Sequence, residues 1–238
     1  MPEIRILEKG KLTVKNAGDE HYRMLLLDES YHDQVIRLQD EIVEEINDPV
    51  FYDPVTPENI KKRFQEEGRT IGTFAGDQLI GCRISHFPPA GGDNFGVDIN
   101  LPAHELPYVA HLAATMVLSQ HRGDELAYRM NLHALDIIKA LGFRHICSTV
   151  FPTNIANIVT QFKTGLSIHA LKEKYEGKLR YIFYRSIEKT KAQYAPGPVR
   201  ISIHDIAGQK ALLEKGFIGC AMDRASGDPE ILYFKRLS

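Results

Sequence analysis

Val117-Leu-Ser-Gln-His-Arg122-Gly123-Asp124-Glu125-Leu126-Ala127-Tyr-Arg-Met-Asn-Leu-His-Ala-Leu-Asp-Ile-Ile-Lys-Ala140 joins two hydrophobic patterns. Before it, Val109 to Leu118 is a run rich in Val, Leu, Ala and Thr, which reads as a buried strand. After it, Leu126, Met130, Ala134, Ile137, Ile138 and Leu141 recur at helical spacing, and Gly142 stands where a C-cap belongs. A short polar turn separates them. Strand, tight turn and helix N-terminus bring unpaired backbone N–H groups to one point, with the positive end of the helix dipole behind them. Such a point suits an anion, phosphate above all.

Toward the N-terminus, Gln78–His86 and Thr70–Ala75 read as strands joined at Gly76-Asp77. Residues 87–107, rich in Pro, Gly, Asp and Asn, read as a long loop. Thr56 caps a helix with Pro57 in its first turn, running to about Glu67. Tyr31–Ile46 carries the stripe Val35, Ile36, Leu38, Ile42, Val43 and Ile46, with Ser30 as its cap. Tyr22–Leu27 is a strand. Ile4–Leu7 and Lys11–Lys15 flank Glu8-Lys9-Gly10 as a small hairpin, Gly10 taking a positive φ.

Toward the C-terminus come a strand at His145–Phe151, a helix from Asn154 to Lys163, and strands at Ser167–Lys174 and Leu179–Ile187. Glu188 to Pro198 reads as a linker. Strand 199–203, helix 206–215 and strands 217–222 and 231–235 follow. This predicts an α/β (α+β) fold: a mixed, mostly antiparallel central sheet with helices on both faces, plus a small C-terminal βαββ appendage. The predicted divisions are an extension at 1–20, a main domain at 21–190 and the appendage at 191–238. The appendage is short for a core of its own and is expected to pack on the main domain or on a second copy, as in a homodimer.

Arg122-Gly-Asp-Glu-Leu-Ala127 resembles the coenzyme A pyrophosphate loop of the GCN5-related N-acetyltransferases (GNAT), Arg/Gln-x-x-Gly-x-Gly/Ala. Ala140-Leu-Gly-Phe143 is similar to the end of that family's third helix. Thr149-Val-Phe-Pro-Thr-Asn154 resembles its fifth strand and the asparagine opening its fourth helix. Lys163-Thr-Gly165-Leu166 stands where the family has Lys-x-Gly-Phe. The resemblance covers roughly residues 22–187. It implies acetyl-CoA as cosubstrate and a primary amine of a small molecule or peptide as acceptor. It implies coenzyme contacts at Val117, Leu118, Arg122, Gly123, Asp124, Glu125, Leu126, Ala127 and Asn154. It also implies that the fourth and fifth strands of the fold splay apart around the pantetheine, like an added strand.

Two positions depart from the family pattern. Glu125 stands where glycine is usual, with Asp124 beside it. At about 5 Å and an effective dielectric near 20, each like-charge pair with a phosphate costs on the order of 3 kcal/mol before screening. Pointing outward, Glu125 leaves the helix amides to the coenzyme; pointing inward, it caps them itself. The outward geometry is the expectation. The second departure is Gln161, where many members carry an acid tyrosine; its neighbour Phe162 has no hydroxyl either. These departures keep a rival reading open: a degenerate GNAT-fold protein that binds a ligand or partner without acetyl transfer.

Acyl transfer to an amine needs a base, an oxyanion donor and an acid. His111, six residues before Val117, should share its face with Ala113 and Thr115 and is the candidate base, with His104 and Glu105 behind it. Tyr128 is a candidate acid, and a backbone N–H near Leu118 the oxyanion donor. Glu41, Glu44, Glu45, Asp48, Phe51, Tyr52 and Asp53 suit a cationic acceptor.

The chain has 238 residues with a net charge of -2, which implies no general attraction to nucleic acid or anionic membrane. Three scattered cysteines read as reduced thiols of a cytoplasmic protein. No signal peptide pattern opens the sequence and no apolar run reaches spanning length. Among metal and nucleotide motifs, H-E-x-x-H, zinc-spaced cysteine pairs and the P-loop are missing, so no metal is expected.

Overall fold

A computed structural model describes residues 5–14, 18–46, 48, 50–188, 193–225 and 227–237. The chain forms two compact units, Met1–Pro88 with Ala110–Leu141, and Pro89–Val109 with Gly142–Ser238.

The first unit contains β1 (Ile6–Val14), β2 (Gly18–Leu27), α1 (His32–Ile46), α2 (Pro57–Lys62), β3 (Gly68–Ala75), β4 (Gln78–His86), β5 (Val109–Val117) and α3 (Leu126–Ala140). Its strands pair antiparallel in chain order. Helices lie on both faces. Gly81 and Arg83 of β4 turn toward Met130 and Asn131 of α3. On the opposite face Phe74 of β3 meets Tyr31, just before α1. The helical stripes do the burying: Val35, Leu38 and Ile42 on α1, and Leu126, Met130, Ala134 and Ile138 on α3. Each large side chain so buried contributes about 1.5–3 kcal/mol.

Three expectations are corrected here. No turn falls at Glu8-Lys9-Gly10; β1 runs straight through and pairs with β2, Gly10 opposite Tyr22. Gly10 is needed for room rather than for φ, because a Cβ there would come within 2.7 Å of the Tyr22 ring. Of that expected hairpin, Ile4 and Lys15 lie outside the described residues. Ser30 does not cap α1; Asp28 accepts from the Ser30 N–H at 2.9 Å and opens a 3₁₀ turn ahead of the helix. His111 does not share the face of Thr115 and Val117. Ala114 pairs with Ile84 but Leu112 pairs with Ser85, so Ala113 is an extra residue in β5. This bulge reverses the alternation and puts His111 opposite His86, on the face of Ala114 and Met116.

The second unit holds β6 (His145–Val150), α4 (Ile155–Lys163), β7 (Ser167–Lys174), β8 (Lys178–Ser186), β9 (Val199–Ser202), α5 (Ile206–Glu214), β10 (Phe217–Asp223) and β11 (Glu230–Lys235). Its sheet runs β6-β8-β7-β10-β11-β9. The C-terminal βαββ segment continues that sheet through Gly219 of β10 opposite Ile168 of β7. Of the predicted linker, residues 189–192 lie outside the description. One face carries Phe162 of α4 against Phe183, and Gln209 of α5 accepting from the Tyr181 and Tyr233 hydroxyls at 2.7 and 2.8 Å. The other is covered by the loop after residue 88: Phe95 and Val109 pack with Cys147, Ala170 and Ile182. Asn94 braces this loop by donating to the carbonyls of Pro89 and Leu106.

Candidate functional site

Helix starts are normally closed by a side-chain acceptor. Among the described residues three α-helices are: Thr56 accepts from Asn59 N–H, Asn154 from Asn157 N–H and Asp205 from Gly208 N–H. The start of α3 is different. Glu125 precedes it in the left-handed region, φ 60° and ψ 17°, with no cap hydrogen bond from its side chain. The first bond inside the helix runs from Arg129 N–H to Glu125 C=O at 2.9 Å. The amides of Leu126, Ala127 and Tyr128 therefore have no acceptor within the helix. Before them Gly123 has φ 115° and open space where a Cβ would stand. A φ near 60° costs an L-residue about 1–2 kcal/mol, and glycine nothing.

The carboxylates do not close this opening. Glu125 is exposed, so the outward geometry holds. Asp124 is turned aside: its Oδ2 accepts from the Thr13 N–H of β1 at 2.6 Å. Arg122 is held by its own turn, donating from Nε to Val117 C=O and from a terminal nitrogen to Glu45, both at 2.8 Å. Glu45 also accepts from Ser119 Oγ at 2.7 Å. Sequence groups Glu45 with an acceptor pocket; the structure places it against the loop. The pairing joins residues 77 apart, and no sequence spacing announces it.

Behind the loop, β1 anchors α3. Glu8 receives bonds from Tyr22, from Arg129 at 2.9 Å and from His133 at 2.7 Å. Burial alone would raise the Glu8 carboxyl; these three donors outweigh it and hold it below the ordinary range. Burial, and then the same contact, push the Tyr22 hydroxyl up to about 12. His121, next to Arg122, is 5% exposed, with Nε2 3.3 Å from Glu20.

The remaining candidates are dispersed. The Leu118 N–H donates to Ile80 C=O at 3.0 Å, because pairing with β4 continues past the end of β5. The Leu118 N–H itself is thus taken up by the sheet. His111 is 2% exposed, with its ring 5.5 Å from that of His86. Tyr52 donates to Gln39, which also clasps Val55 through both backbone groups. Burial, then Cys82 and Asp53, raise the Tyr52 hydroxyl. Glu41, Glu44 and Asp48 are exposed. Tyr128 lies half-buried in the first turn of α3.

In the second unit, the Asn154 side chain serves as cap of α4. Gln161 is buried and donates to Asn157, while Phe162 packs on an aromatic ring. Glu105 is bound to His145 at 2.8 Å and Arg144 at 3.1 Å, with His104 3.6 Å away. The bond from His145 holds the Glu105 carboxyl low. Among the described residues no group of three or more His, Cys, Asp or Glu could hold a metal ion, and no helix is long and apolar enough to cross a membrane.

No protein-family profile and no curated protein matches this sequence. Solved structures do. The GNAT-family acetyltransferase from Streptococcus pneumoniae is 14% identical, with a TM-score of 0.55 over 70% of this chain and 99% of that one. The GNAT domain of S. lividans PAT is 14% identical, with a TM-score of 0.51 over 75% and 97%. The aminoglycoside acetyltransferase AAC(6')-Ib, solved with coenzyme A and kanamycin, is 14% identical, with a TM-score of 0.52 over 70% and 95%. The chain is thus a GNAT-fold protein: its mixed, mostly antiparallel sheet and helices match the acetyltransferase fold.

Proposed function

We propose that this chain is an acetyl-CoA-dependent N-acetyltransferase acting on a primary amine of a small molecule or peptide. The observation that carries the reading is the uncapped start of α3, with left-handed Glu125 outside it and Gly123 leaving room in front. These residues fit a pyrophosphate. The amides of Leu126, Ala127 and Tyr128 and the Arg122 guanidinium would hold it, with Val117, Leu118, Gly123 and Asp124 shaping the approach. The coenzyme supplies a thioester; this chain positions it and handles the amine proton. His111, as a buried imidazole on the face of Ala114 and Met116, is the proposed base, and its bulge-set position is the one to test. The acidic segment Glu41, Glu44, Asp48 and Asp53 would draw a cationic acceptor.

A second reading is binding without transfer. It is favoured by Gln161, a buried amide in α4 where an acid hydroxyl would be useful. Thiol release from acetyl-CoA in the presence of a panel of primary amines separates the two. Amine-dependent release that falls at least tenfold in His111→Gln supports transfer. Coenzyme binding with no release above the amine-free rate supports the second reading, and no binding at all removes both.

A further inference from the structure

Arg83 is 1% exposed, in the middle of β4. A guanidinium carries five donors, and a buried charge is normally paired. Here it donates to Ala114 C=O at 3.3 Å and to the Asn131 amide oxygen, both neutral, and its Nε has no hydrogen-bond partner. Among the described residues no carboxylate pairs with it. Burial lowers its pKa to about 9, which leaves it charged at neutral pH. Its place is specific. It lies on the face of β4 that carries α3, one side chain along from Gly81, which faces Val117 and Met130. Asn131, its partner, lies five residues into α3, about 8 Å along the axis from Leu126. The uncompensated cation thus sits beneath the first turns of the helix whose start is uncapped. A buried charge is screened less than a surface one and acts over that distance.

We propose that Arg83 is a positioning and electrostatic residue for the anion bound at the start of α3, its missing counter-charge being the ligand's phosphates. It offsets the two carboxylates, Asp124 and Glu125, that flank the same loop. This rests on the coenzyme reading above.

The test is calorimetric titration with coenzyme A and with inorganic pyrophosphate, beside thermal unfolding without ligand, for wild type, Arg83→Met and Arg83→Lys. Arg83→Met should unfold at the same temperature or higher, because it removes an uncompensated buried charge. It should bind both probes at least tenfold more weakly. Arg83→Lys should retain more affinity than Arg83→Met. If Arg83→Met fails to fold, Arg83→Gln, a neutral polar variant, carries the comparison. Unchanged affinity in a neutral variant overturns the proposal. So does a lower unfolding temperature together with weaker binding, which assigns Arg83 a structural role. Wild type that binds neither probe overturns the coenzyme reading itself, a result distinct from equal binding by wild type and variant.

Discussion

Two helices of similar context begin in opposite ways. Both α3 and α4 follow a strand of the sheet, α4 after a short turn and α3 after a longer connection with a 3₁₀ turn at Ser119–His121. At α4 the Asn154 side chain accepts from Asn157 N–H at 3.1 Å, and the helix end is satisfied from within. At α3 the preceding residue is left-handed Glu125, no side chain caps the helix, and the nearby carboxylate of Asp124 is drawn away to Thr13. Satisfying a helix start locally is worth about 1 kcal/mol. Leaving one unsatisfied, beside an arginine and an open glycine, is what an anion site requires and what a purely structural turn does not.

The sharpest way to break this contrast is to fill the α3 start with its own anion. Ala127→Asp puts a carboxylate in the first turn, where the helix dipole favours it. Thermal stability should hold or rise, while coenzyme A affinity falls about a hundredfold, roughly 2.7 kcal/mol. A calorimetric titration checks this. Equal affinity would show that the amides are not the site.

Glu125→Gly relieves the contrast in the other direction. Glycine adopts the left-handed φ without cost, so the variant should be about 1 kcal/mol more stable. It should also bind coenzyme A tenfold or more tightly, about 1.4 kcal/mol, through removal of a like charge. Equal affinities would show that Glu125 does not oppose the ligand.

Asn154→Ala tests the structural member of the pair. Losing the cap should destabilise the chain by about 1 kcal/mol in denaturant titration. Coenzyme A affinity should stay within twofold if the side chain acts only as a cap. A larger loss would give Asn154 the coenzyme contact that the family resemblance implies.

The smallest effect concerns the brace behind α3. The Glu8 carboxyl is held below its ordinary value, so its contribution is present above the unfolded-state pKa and lost as pH falls through the folded-state one. Glu8→Gln should therefore lower the unfolding temperature at neutral pH by a few degrees. Its deficit should shrink as pH drops below the ordinary glutamate range near 4.5. A deficit constant across pH 3–7 would mean that the contact acts by packing rather than charge.

The order of elements was legible because periodicity reports burial: β4, β7 and α4 fall within a residue of where the pattern puts them. The loop before α3 stood out as a candidate anion site from residue identity, and the structure gives it a left-handed, uncapped helix start. Three features were not legible. The bulge at Ala113 leaves no mark in an apolar run where every alternation looks alike, so the face of His111 was misread. Gly10 reads as a turn residue because sequence does not show that Tyr22 lies across from it. The pairing of Glu45 with Arg122, and of Asp124 with a backbone N–H 111 residues away, is set by the tertiary fold alone. The general rule is that local patterns report elements, while the direction a charged side chain takes depends on remote partners.

The central claim is that coenzyme phosphates sit on the first-turn amides of α3. The most direct test is an amide NMR titration of the isotopically labelled chain with coenzyme A. The account predicts that the largest shifts fall on Leu126, Ala127 and Tyr128 with Gly123, and that Ile155 to Asn157 at the start of α4 shift little. Saturating coenzyme with no shift at Leu126–Tyr128, or with the largest shifts at α4, would contradict it.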